Sequence, residues 1–290
     1  EIVAGTLKIT DANALGATAS GIVIDSGATL ESALATAGTL TQVISGAGQL
    51  TKTSASNLTL SGDNFYSGGT YLSNGRLIAQ HVNALGSGTV SLATSTILEM
   101  NFASGTNTFA QKITGAGAFE KTGAGTLALS NTGNDFTGAI TVSTGVLQAN
   151  GVATLGGSSG ANSIAISTGA RAIINNSATE TLAKLISGAG VFEKAGSGTL
   201  TLSNTANALT GEINVSAGIL QANSLSVLGA NTASNEIVLS GGRLLVNNST
   251  TETLNKLISG TSIFEKAGTD VLRLSNVNTY SGGTTISGGT

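Results

Sequence analysis

The chain has 290 residues, a formal net charge of −3 and only 9% charged residues, with 41 Gly and no Pro, Cys or Trp. The lack of Cys excludes a disulfide framework and a thiolate metal site, and the lack of a basic surplus removes the electrostatic footprint of a nucleic-acid or anionic-bilayer binder. No run approaches the roughly 18 apolar residues of a membrane helix, so no membrane insertion is expected of this segment.

Taken in order, the chain opens in mid-pattern. Residues 1–43 read as the tail of a repeat, and nothing in Glu1 to Asp11 resembles a signal peptide. The first full copy opens at Ile44, ISGAGQLTKTSASNLTLSG. It recurs at Ile113 as ITGAGAFEKTGAGTLALSN, at Ile186 as ISGAGVFEKAGSGTLTLSN and at Ile258 as ISGTSIFEKAGTDVLRLSN. Starts at 44, 113, 186 and 258 are 69, 73 and 72 residues apart. Leu50, Phe119, Phe192 and Phe264 hold one position of the pattern, and Leu60, Leu129, Leu202 and Leu274 another. Self-similarity at a near-fixed period marks an architecture in which each unit stacks on the last. The expectation is one domain over 1–290, a fragment of a longer protein, with super-repeats at about 44–112, 113–185, 186–257 and 258–290.

Within a copy the period is two. Gly21 to Asp25, Ser163 to Ser167, Thr199 to Ser203, Glu212 to Ser216 and Glu236 to Ser240 alternate Ile, Val or Leu with polar residues. Strict alternation over about five residues predicts half-buried strands with the aliphatic side chains inward. Gly-containing turns such as Gly196-Ser197-Gly198 and Gly241-Gly242 separate them. The stretches TETLAKLI from Thr179 and TETLNKLI from Thr251 pass for a helical turn, but both run into the same ISG turn, which favours a strand. About seven such runs per copy, too short for βαβ units, predict an all-β, right-handed parallel β-helix of roughly three turns per repeat and roughly 12 turns in all. Leu77, Leu147 and Leu220 are equivalent inward positions, as are Ala79, Ala149 and Ala222. Leu98/Met100, Ala172/Ile174 and Leu244/Val246 form a further set, and these inward positions are expected to form columns.

The C-terminal stretch from Gly268 to Thr290 and residues 57–78, NLTLSGDNFYSGGTYLSNGRLI, share a pattern of the form GxGxLxLxxxNxYxGGTxxxxGxL. It resembles the passenger-associated strand repeat of bacterial autotransporters. The middle copies are degenerate: Asp135-Phe136-Thr137-Gly138 and Ala208-Leu209-Thr210-Gly211 stand where Tyr-Ser-Gly-Gly is found, with one extra residue before the aromatic position. The resemblance implies a β-helical passenger of a Gram-negative cell surface, tethered to the outer membrane by a C-terminal barrel that this fragment does not contain. It also implies adhesion, cell–cell aggregation or biofilm formation, through another copy on a neighbouring cell or a host-surface glycan or protein. The alternative is a stalk that displays a binding or catalytic tip located elsewhere.

The search for chemistry yields no cofactor, metal or catalytic set. The one His, His81, is matched by Asp11, Gly151 and Ser224 in the other copies, which reads as a surface turn. A GxSxG elbow, a phosphate loop and a calcium nonapeptide are all absent. Polysaccharide lyases share the β-helix, and glycoside chemistry needs paired carboxylates. Here Glu120/Glu193/Glu265 and Glu180/Glu252 recur between copies, which suits a solvated rung better than a single catalytic site; no enzyme is expected. Lys121, Lys194 and Lys266 fall on the opposite side of the strand or at a corner, so no salt bridge is assigned to them. The contact candidates are outward. Asn175-Asn176 and Asn247-Asn248 follow equivalent strands, where Asn either bonds corner backbone or forms a polar row for a second copy or a glycan. Tyr71 aligns with outward Thr141, Asn214 and Thr285 and suits stacking on a sugar or a protein contact.

Overall fold

The computed structural model describes residues 1–16, 21–157 and 162–290. The chain divides into two compact units, Glu1–Ile140 with Leu155–Gly157, and Thr141–Thr154 with Ser158–Thr290. Each is a parallel β-solenoid; counted over both, there are about 13 turns of coil and no α-helix among the described residues. Three 3-10 turns, Ala12–Leu15, Val152–Leu155 and Leu225–Leu228, mark corners.

In the first unit, one sheet stacks Thr6–Ile9, Thr29–Ser32, Gln49–Lys52, Thr70–Leu72, Val90–Leu92 and Ile113–Gly115. A second stacks Gly38–Leu40, Leu58–Leu60, Arg76–Ala79, Ile97–Asn101 and Ala118–Thr122. In the second unit, Val146–Ala149, Arg171–Asn175, Val191–Ala195, Ile213–Val215, Ile237–Leu239 and Ile258–Gly260 form one sheet. Glu180–Leu182, Thr199–Leu202, Ile219–Ala222, Arg243–Val246, Phe264–Lys266 and Thr284–Ile286 form another. Register partners lie 19 to 25 residues apart, one coil each, as between Leu58 and Leu77 or Leu147 and Ala172.

Alternation sets the core. Leu50, Phe119 and Phe192 are 0% exposed and Phe264 1%, and Leu60, Leu129 and Leu202 are buried beside them. Leu274 is only half-buried: among the described strands Leu272–Leu274 pairs with Glu252–Leu254 alone. The two TETL segments are strands, Glu180–Leu182 and Glu252–Leu254.

The repeat does not keep step with the coil. From Phe192, three coils lead through Ile213 and Ile237 to Ile258. Phe264, the next copy's counterpart of Phe192, lies six residues further on, in the column of Leu200, Leu220 and Leu244. The first unit behaves alike. Leu50, Thr70, Val90 and Ile113 form one column, and Phe119 joins Leu58, Leu77 and Leu98 in the next. A copy therefore spans three coils plus one strand. Val191–Ala195 to Ile258–Gly260 contains nine strands and one 3-10 turn rather than seven strands. Equivalent inward residues are buried as expected but do not share a column: Leu147 stacks with Ala172, and Leu220 with Leu200 and Leu244.

Candidate functional site

The repeat motif first builds the interior. Its Asn is Asn64, Asn134, Asn207 or Asn278, and in every copy the side-chain Oδ1 accepts from the backbone N–H of the opening Ile44, Ile113, Ile186 or Ile258 at 2.8 Å. Asn64 and Asn207 also donate through Nδ2 to Ala84 O at 2.6 Å and Val227 O at 2.7 Å, one coil on. One amide thus satisfies groups on both sides, which buried backbone requires. Two residues later comes the aromatic position. Tyr66, Phe136 and Leu209 are buried there, and Phe119–Phe136 and Phe264–Tyr280 ring centroids lie 5.9 and 6.0 Å apart. The Tyr66 and Tyr280 hydroxyls each meet the Oγ1 of a Thr four residues on, Thr70 and Thr284, at 2.5 Å. Where the hydroxyl is lost, at Phe136 and Leu209, Ile140 and Ile213 replace that Thr. The degenerate copies thus drop donor and acceptor together.

The recurring charges serve the fold as well. Arg76 Nη1 reaches Glu99 at 2.5 Å and Glu120 at 2.6 Å, Arg243 reaches Glu265 at 2.7 Å, and Arg171 pairs with Glu193. Glu99 and Glu193 are only 9% exposed, so these carboxylates are not solvated rungs: Arg and hydroxyl neighbours from adjacent coils shield them. Glu180 accepts from the Val152 N–H at 3.0 Å, and Glu252 from the Leu225 N–H and the Ser224 hydroxyl, capping the 3-10 turns. His81 lies in an exposed turn, 3.4 Å from Asp63.

Lys121, Lys194 and Lys266 turn inward with Lys52, all at most 2% exposed. Lys184 and Lys256 are also buried. Lys184 donates to Asn162 Oδ1, whereas Lys256 Nζ has no hydrogen-bond partner among the described residues. Burial pushes Lys121, Lys184, Lys194 and Lys256 down to about 8. The signal was parity: Lys194 lies two residues from Phe192 on the same side of the strand. Because the folded chain binds these protons less tightly than the unfolded chain, stability should rise with pH from about 8 towards lysine's ordinary 10.5. Below about 8 the full cost of the charges remains. Buried Tyr66, pushed above its ordinary 10.0, starts a loss of stability once unfolded tyrosine ionises. The urea midpoint is therefore expected to be higher at about pH 9.5 than at about pH 7.5, and Lys256→Met should shrink the gain. A midpoint that falls over this interval contradicts the assignment.

The outward candidates separate into two groups. Tyr71 is outward and 40% exposed, in register with Thr51 and Ser91. Asn175 and Asn247 are exposed. Asn176 and Asn248 are 2% and 0% exposed, so their expected outward placement is corrected. Asn176 has the inward parity of Ala172 and Ile174, and its Nδ2 donates to Ala178 O at 2.6 Å and Thr199 O at 3.0 Å. Asn248 holds the corresponding corner through Thr250 O and Val271 O. The exposed Asn residues sit in amide clusters. Gln148 and Asn175 both donate to Asn150 Oδ1, at 2.7 and 3.5 Å, and Gln221 and Asn247 to Asn223 Oδ1, at 2.8 and 3.2 Å. A groove of about 490 Å³ runs past Ile219, Arg243, Thr261, Ser262 and Ile263. No helix among the described residues is long and apolar enough to cross a membrane.

The model of the passenger-associated-transport-repeat family matches residues 50–79, 119–149, 192–222 and 264–290. Neither the curated protein sequences nor the solved structures contain a match to this chain. Each matched stretch runs from the buried Leu50, Phe119, Phe192 or Phe264 through the Asn and aromatic positions. Such repeats imply a secreted, surface-exposed domain. Four such repeats on a parallel β-solenoid are consistent with an autotransporter passenger domain.

Proposed function

We propose that this segment is an adhesive, non-catalytic part of a passenger held at the outer membrane by a barrel elsewhere in the full protein, and that it acts in cell–cell aggregation or biofilm formation. The observation that carries the reading is the pair of exposed amide clusters, Gln148–Asn150–Asn175 and Gln221–Asn223–Asn247, on a surface with few charges. Side-chain amides present donor and acceptor together, so like surfaces can complement each other. A single contact is worth about 1 kcal/mol, and many along dense arrays add as avidity. The net charge of −3 opposes approach only weakly. Tyr71 is the candidate for a host glycan or protein contact.

Asn175→Lys with Asn247→Lys places like charges at both clusters, and clumping of cells or beads that carry the full passenger is expected to fall. Unchanged clumping with the fold intact moves the contact elsewhere. The second reading, a stalk, is favoured by how completely the repeat motif is spent on interior bonds. Deleting the segment separates the two: a stalk's loss shortens reach to host cells and leaves aggregation to other segments.

A further inference from the structure

The inward lysines share a setting that nothing in the passenger reading uses. Lys194 Nζ donates to Ala195 O, to Gly196 O at 2.7 Å and, in the following coil, to Ala217 O at 3.2 Å. Lys52 Nζ donates to Ser54 O at 2.5 Å and to Asn74 O at 3.2 Å, and Lys266 Nζ to Gly268 O and to Gly288 O at 3.1 Å. Lys121 Nζ donates to Thr122 O and Gly123 O at 2.5 and 2.7 Å. Among the described residues no carboxylate forms a salt bridge with Lys52, Lys194 or Lys266.

The acceptors from the following coil have one origin. Asn74, Ala217 and Gly288 each precede a glycine at positive φ, Gly75 at 73°, Gly218 at 63° and Gly289 at 65°. That conformation turns the preceding carbonyl towards the interior. A Cβ on Gly218 or Gly289 would stand 2.9 or 2.8 Å from the amine of Lys194 or Lys266. The last glycine of the repeat motif and the inward lysine of the coil below are therefore two halves of one device.

We propose that every copy of the repeat carries a carbonyl cage for a primary ammonium ion, that the chain fills it with its own lysine, and that the following coil closes the cage and so latches successive coils together. Converging backbone carbonyls suit an ammonium, which offers three donors and no acceptor. A neutral filler of the same length leaves those carbonyls buried and unpaired, which the interior penalises. Before the following coil is laid down, the amine lacks the carbonyl which that coil supplies, so closure is felt by both coils. Burial lowers the Lys194 amine to about 8, while the Glu180 carboxylate works in the opposite direction, and at neutral pH the ammonium form prevails.

Two measurements on the whole chain test this. With ¹⁵N-lysine labelling near neutral pH, slowly exchanging three-proton ammonium signals are expected for the caged lysines and none for Lys8, whose side chain is 56% exposed. Absence of protected ammonium signals, or two-proton amine signals, overturns the proposal. In Lys194→Met one signal should vanish, and amide exchange at Gly196–Gly198 and at Ala217–Gly218 should accelerate about tenfold or more. Exchange unchanged or slower at both corners makes Lys194 a mere core filler and overturns the latch.

Discussion

Leu202→Asp is expected to destabilise the second unit by about 3–5 kcal/mol, the cost of an uncompensated buried charge. Leu202 is 2% exposed and lies between Leu182 and Ala222 in a dry column. Its nearest neighbours in that column are Leu182, Ala222 and Val246, and the column's cation, Lys266, stands three coils away, so the carboxylate must either remain unpaired or take up a proton and lose its ionisation. Because each coil of a solenoid is stabilised by its neighbours, the damage should reach the coils carrying Leu182 and Ala222 before more distant ones. Urea unfolding followed by circular dichroism gives the magnitude, and hydrogen exchange gives the spread. Slow exchange preserved throughout 186–216 in the variant would falsify the column.

The second large effect is expected at Gly188. Its φ is 102°, outside the range that side-chain-bearing residues adopt readily, and an added Cβ would stand 2.1 Å from Ile166 O of the coil below. Backbone cannot step aside as a side chain does, so Gly188→Ala must pry two coils apart. Backbone strain of about 1–3 kcal/mol and overpacking of a similar size act together. Gly169→Ala is the control: φ there is 81°, with nothing within 4 Å of the added carbon. Gly188→Ala should lower the urea midpoint well beyond Gly169→Ala, and equal shifts would show that the coils do not approach as closely as described.

Much of this was legible in the sequence because alternation is a local signal. Phe119, Phe192 and Leu60 announced their burial through their spacing, and TETL declared itself a strand by running into ISG. The same parity puts Lys194 and Asn176 inward, although Asn176 was expected outward; composition argues against burying either, and corner carbonyls decide the matter. What the sequence hid were relations between coils. The partner of Asn207 is the N–H of Ile186, 21 residues earlier, a distance set by coil length. Coil length itself cannot be read from repeats 69 to 73 residues apart, because the repeat overshoots three coils by a strand. Among the outward residues, exposure of Tyr71, Asn175 and Asn247 followed from alternation, while their role in contact is a matter for experiment.

That overshoot governs how a surface is seen by its surroundings. Within each unit the two copies present their equivalent side chains in different directions, since Phe264 has moved to the column beside that of Phe192, and Phe119 to the column beside that of Leu50. Lengthening such an array by one copy adds nothing to the motif already on view from a given side; it opens a new side. With three strands to a coil, a direction recurs only after three copies, about ten coils or roughly 48 Å at the spacing of stacked strands. A substitution acquired in a single copy is thus tried in one direction at a time, and duplication of a copy serves as a change of aim rather than a gain in density.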